Sequence, residues 1–141
     1  MLPGIKNGDK LVYNQVNEKN DIVTWVDGKN IDYKKFSDYG DVIIYQSYGD
    51  KNFDYIVHRA MAWVKYNEVN DTYTIDGYDI ENEMIINIYE IGLSNYKPSP
   101  SGFITKGDNP ETNKYCDQAT TLCKEPVKVD WIIGKVIKIR K

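Results

Sequence analysis

Phe53-Asp54-Tyr55-Ile56-Val57-His58-Arg59-Ala60-Met61-Ala62-Trp63-Val64 is the stretch whose reading decides the fold. Two runs, Phe53–Val57 and Ala60–Val64, rich in β-branched and aromatic residues, flank a His-Arg pair. Such short runs suit strands. Working outward, the spacing stays near period two. Lys10–Val16 alternates, Asp21–Val26 (DIVTWV) is β-branched and aromatic, and Asp41–Tyr45 (DVIIY) is a short apolar run. Thr72–Ile75, Gly102–Lys106 and Trp131–Ile139 complete the strand set. Asp27-Gly28, Tyr39-Gly40, Gly49-Asp50 and Asp76-Gly77 punctuate them as turns. Helix signals are sparse: Asp32–Asp38 has room for one turn, and Glu81–Glu90 suits helix or strand. The expectation is a mainly β, antiparallel barrel or sandwich with long loops. The loops are Asn95–Ser101, where two prolines forbid ladder donors, and Asp108–Pro126.

The 141 residues fit one domain, and 41% hydrophobic content is too apolar for disorder. Eighteen Lys and Arg against 21 Asp and Glu leave a net charge of −3, which argues against a general nucleic-acid binder. Residues 124–141 carry six bases and two acids, so this end is +4 and the remainder −7. Outward-facing strand lysines account for that; a basic end near anionic lipid headgroups is the sharper reading. No apolar run approaches the ~18 residues of a membrane-spanning helix. One histidine and two cysteines cannot build a four-ligand zinc site, and no metal or cofactor is expected.

His58, the sole histidine, is the best general base available. Such a base needs an acceptor to orient it. Asp108, in the turn Gly107-Asp108-Asn109-Pro110, and Asp117, nine residues on, are the candidate acids. Cys116 and Cys123 could close a small loop in an oxidising compartment, or pack as free thiols.

Together these pieces resemble type I signal peptidase in its archaeal and endoplasmic-reticulum form. Met1-Leu2-Pro3 and Gly8-Asp9 are similar to the family's opening Ser-Met-x-Pro and Gly-Asp from the Met onward. Gly40-Asp41-Val42-Ile43-Ile44-Tyr45, His58-Arg59, Thr105-Lys106-Gly107-Asp108-Asn109 and Ile132-Ile133-Gly134-Lys135-Val136 resemble its later elements, in family order across nearly the whole chain. The resemblance implies a coiled, barrel-like antiparallel sheet and a serine endopeptidase that removes signal peptides from translocated preproteins. It implies His58 as general base, Asp117 as orienting acid, Asp108 as supporting carboxylate, and Met1, Leu2, Pro3 and Gly107 at the substrate. The family's nucleophilic Ser immediately precedes its Met. Residues 1–141 are therefore expected to be one catalytic domain truncated at its N-terminus, inactive as it stands. The missing portion would be a membrane anchor, with the domain extracytoplasmic in the parent protein and soluble alone. The family's second Asp follows the first by six residues; here the separation is nine, consistent with a three-residue insertion within Pro110–Tyr115. The alternative is a non-catalytic, preprotein-binding module of the same fold. A self-cleaving repressor-type protease would bring a Ser-Lys pair and a DNA-binding arm, and neither is seen.

Overall fold

A computed structural model describes residues 8–78 and 85–140. Met1, Leu2, Pro3 and part of the Glu81–Glu90 segment lie outside the described residues. In chain order the elements are β1 (Lys10–Asn14), α1 (Trp25–Ile31), β2 (Lys34–Lys35), β3 (Asp38–Tyr39), β4 (Val42–Tyr45) and β5 (Ile56–Asn67). They continue with β6 (Thr72–Ile75), β7 (Ile86–Ile88), β8 (Leu93–Tyr96), β9 (Gly102–Lys106) and β10 (Ile132–Arg140). The protein is mainly β and its pairings are antiparallel. The main sheet runs β1-β10-β4-β5-β6, with β9 on the other edge of β5, and among the described residues it does not close into a barrel.

The two runs around the histidine form one strand, because nothing in His58-Arg59 interrupts the ladder. β4 lies along the first part of β5 (Val42↔Arg59, Ile43↔His58) and β6 along the last (Val64↔Ile75). Opposite both lies β9 (Arg59↔Lys106, Ala60↔Thr105), its register shifting between Ala60 and Ala62. Strand alternation splits the sheet into two faces. Ile43, Tyr45, Ala60, Phe103 and Cys123 share one buried cluster on the His58 side. Val42, Ile44 and Val136 form another, with Val57 and Phe36 packed against it, on the Arg59 side. A third cluster gathers the far end of β5 with α1, β7 and β8.

Several local expectations fail, the first for a side-chain reason. Asp21–Val26 is not a strand. Thr24 Oγ1 accepts from the backbone N–H of Asp27 at 3.2 Å, an N-cap that starts α1 and places Asp27-Gly28 inside the helix. Asp32–Asp38 forms no helical turn; Asp32 takes a left-handed conformation that ends α1. The chain then makes the β2–β3 hairpin, with Phe36 and Ser37 both at positive φ (56° and 70°) as a two-residue turn of the primed type needs. Phe53–Tyr55 lie ahead of β5 and are exposed, and Asn95 and Tyr96 belong to β8 rather than to a loop. The long stretch from Asp108 to Pro126 carries only one 3-10 turn, Asp117–Ala119.

The basic end does not form one charged face. Lys135 turns inward, donating to the Asp21 carbonyl at 2.7 Å and lying 3.9 Å from Asp41, while Lys128 lies over the Trp131 ring. No helix among the described residues is long and apolar enough to cross a membrane.

Gly40 joins hairpin to sheet at φ +80°, and a Cβ there would sit 2.5 Å from the Trp25 backbone N and 2.6 Å from the Thr24 carbonyl carbon. Both the conformation and the space demand glycine. Gly40→Ala is expected to destabilise the fold by about 3 kcal/mol, read as a lowered denaturant midpoint with the slope retained.

Candidate active site

The sheet brings together residues far apart in sequence. β5 supplies His58 and Arg59, β4 supplies Tyr45, and β9 supplies Thr105 and leads directly into Gly107-Asp108. The 3-10 turn then returns Asp117 and Gln118 to the His58 face. His58 is 5% exposed and Asp117 2%. His58 Nδ1 lies 2.9 Å and 2.8 Å from the two Asp117 carboxyl oxygens. Asp117 Oδ2 also accepts from Tyr45 Oη at 2.6 Å and Thr105 Oγ1 at 2.7 Å. With Nδ1 committed to Asp117, the other ring nitrogen, Nε2, has no hydrogen-bond partner among the described residues. A carboxylate on one imidazole nitrogen, with no described residue bonded to the other, is an arrangement compatible with a general base.

Asp108 sits elsewhere. It is paired with Arg59, Nε to Oδ1 at 2.9 Å and Nη2 to Oδ2 at 2.6 Å, and makes no bond to His58. Arg59 is 1% exposed. Its remaining nitrogen, Nη1, donates to the carbonyls of Lys35 (2.8 Å), Gly40 (3.0 Å), Tyr39 (3.3 Å) and Asp38 (3.4 Å). The pair therefore clamps the β2–β3 hairpin and the loop after β9 onto the strand that carries the histidine. Gly107 is buried between β9 and Asp108, where a Cβ would collide with the Asn113 side chain. The Gly40-Asp41 element likewise builds structure. Asp41, 1% exposed, accepts from the Val23 N–H at 2.8 Å and from Tyr33 Oη at 2.7 Å. Burial, then Asp41, pushes the Tyr33 hydroxyl up to about 12.

Among the described residues no alternative nucleophile bonds to His58. No serine hydroxyl there bonds to the imidazole; Ser47, for example, donates to the Leu122 carbonyl. Cys116 and Cys123 are free and buried, in separate core clusters. Burial raises both thiol pKa values, and the Asp117 charge adds to the shift at each. That is the opposite of thiol activation. Among the described residues no group of three His, Cys, Asp or Glu side chains could hold a metal ion. Sequence reasoning missed Tyr45, Thr105 and Gln118 as site residues; the first two stood inside quoted motifs, but only strand register shows that they meet Asp117.

Comparison with protein-family models, with curated proteins and with solved structures gave no match. The functional reading accordingly rests on this geometry and on the motifs quoted above.

Two stability outcomes follow. Removing the Asp108 carboxylate leaves a buried guanidinium unpaired, so Asp108→Ala is expected to cost about 3 kcal/mol. Asp76→Ala, which breaks the Lys19–Asp76 pair (3.1 Å, side chains 37% and 35% exposed), should cost under about 1 kcal/mol. Chemical denaturation of both variants makes the comparison. The second concerns alkali. The folded chain keeps the Cys116 and Cys123 protons where the unfolded chain releases them, so their contribution is full below about pH 9 and declines above it. The slope is at most ~1.4 kcal/mol per pH unit for each thiol. Unfolding at stepped alkaline pH should show this decline, and Cys116→Ala should make it shallower.

Proposed function

We propose that this chain is the catalytic domain of a signal-peptidase-like serine endopeptidase that removes signal peptides from translocated preproteins. The observation that carries the proposal is the buried His58–Asp117 contact, with no described residue bonded to Nε2. Ordered motifs add to it, since the His-Arg and Gly-Asp-Asn boxes meet across β5 and β9. The nucleophile would be a serine immediately ahead of Met1. Its Oγ would attack the scissile carbonyl while His58 Nε2 takes the proton and later returns it to the leaving amine. Asp117 would hold the imidazole and offset the charge that forms on it. Asp108 would act at one remove, by fixing Arg59 and the loop that contains Gly107. The substrate would be an extended signal peptide on a preprotein. No cofactor is required by this chemistry, and no nucleic acid takes part. In the parent protein an anchor ahead of the domain would keep it at a membrane, on the extracytoplasmic side.

The test is a chain with Ser placed directly before Met1 behind a membrane anchor, incubated with a preprotein. Cleavage after the signal peptide's last small residue is expected. His58→Ala should lower kcat/KM at least ~100-fold, and Asp117→Asn should cost at least as much, since general acid–base groups contribute on that scale. Full activity in His58→Ala overturns the proposed base. Preprotein binding without cleavage, with the serine in place, would favour the alternative of a non-catalytic docking module.

A further inference from the structure

The side chains around Asp117 define where every proton sits. The Thr105 backbone N–H donates to Gln118 Oε1 at 2.8 Å. The Glu125 carbonyl, which can only accept, lies 3.3 Å from Gln118 Nε2. A carboxamide has one accepting and one donating end, so these two backbone groups fix its orientation from both sides. Gln118 Nε2 then faces Thr105 Oγ1 at 3.2 Å and donates to it. Thr105 Oγ1, already an acceptor, has its single proton free for Asp117 Oδ2 at 2.7 Å. Tyr45 Oη gives its own proton to the same oxygen at 2.6 Å. Burial and the Asp117 charge raise the Tyr45 pKa, so its hydroxyl keeps that proton. Both hydroxyl protons fall on Oδ2, so a proton on Asp117 could sit only on Oδ1, facing His58 Nδ1 at 2.9 Å, and two donors to one carboxyl oxygen favour the charged form.

We propose that Tyr45 and Thr105 are positioning residues of the site, Thr105 being turned toward Asp117 by Gln118, and that their two hydroxyl protons hold Asp117 as an ionised acceptor. His58 thereby carries its proton on Nδ1 and presents its lone pair on Nε2. The catalytic consequence rests on the reading of His58 as general base; the proton arrangement does not.

The arrangement is testable on the chain as it stands, without a nucleophile. In mildly alkaline solution, 15N-resolved spectra of the His58 imidazole should show the Nδ1–H tautomer with a slowly exchanging Nδ1 proton. Tyr45→Phe and Thr105→Val each remove one donor from Asp117 while keeping side-chain shape. The carboxylate then binds Nδ1–H more strongly, and that resonance moves downfield in each variant and further in the double variant. Thr105→Ser, which keeps the hydroxyl, restores the original position. Gln118→Glu, which offers Thr105 an acceptor in place of a donor, moves the resonance as Thr105→Val does. In the serine-complete enzyme each single loss should lower kcat about tenfold, the size expected for one charge-assisted hydrogen bond, with KM little changed. An unmoved resonance in both Tyr45→Phe and Thr105→Val, or no restoration by Thr105→Ser, overturns the proposal. Displaced resonances together with an inert serine-complete enzyme support the proton arrangement and remove the peptidase reading.

Discussion

Burying the Arg59 guanidinium costs several kcal/mol in lost hydration unless its donors are met, and meeting them organises the molecule around β5. Two nitrogens take both oxygens of Asp108, and the third reaches four consecutive-region carbonyls from Lys35 to Gly40. Those carbonyls belong to a hairpin whose turn residues, Phe36 and Ser37, hold a conformation that non-glycine residues disfavour. The charge fixes the hairpin, and the hairpin places Gly40 and Asp41 at the start of β4. Asp41 in turn ties down Val23 just ahead of the Thr24 cap. Helix, hairpin and the loop after β9 are all referred to one side chain.

His58 immediately precedes Arg59 on the strand, and alternation sends it to the other face. There the partners are different in kind: Ile43, Tyr45 and Ala60 from the sheet, then Asp117 from the returning 3-10 turn. The base proposed for this site would need its orientation set before substrate arrives. The clamp supplies that on one face, because it immobilises the backbone of the very residues that bear the imidazole. Tyr45 and Thr105 supply it on the other, through the carboxylate. The bulge between Ala60 and Ala62 lets β9 bring Thr105 level with this group and then swing Gly107 and Asp108 across to Arg59.

The sheet was legible from residue types because its strands are β-branched and short, and their period shows without tertiary knowledge. DVIIY, TYTI and GFITK all became strands close to where the pattern put them. Asp21–Val26 misled for a definite reason: a threonine that caps a helix also favours strands, and only the Asp27 N–H bonded to it separates the two uses. The hairpin at 34–39 was hidden since its positive-φ pair contains no Gly or Asn. At the site, His58, Asp108 and Asp117 stood out as chemistry-bearing types, yet their division of labour depends on register across β5 and β9, which one-dimensional spacing does not carry. Gln118 had no signal of its own, being an ordinary amide until Thr105 and Glu125 fix which way it points.

Asp108 and Asp117 make the contrast general. Both are largely buried carboxylates within hydrogen-bond reach of neighbours on the same strand, so burial and distance alone would rank them alike. Their partners separate them. Arg59 is charged at every accessible pH, which makes the Asp108 pair a fixed structural charge balance with nothing to exchange. The partners of Asp117 are two neutral hydroxyls and an imidazole, a ring with both a neutral and a cationic form. A carboxylate so placed loses little when its histidine is neutral and gains a full opposite charge when the histidine is protonated. That asymmetry would lower the cost of the proton transfer to Nε2 proposed above, and it comes from which side chain sits on which face of one strand.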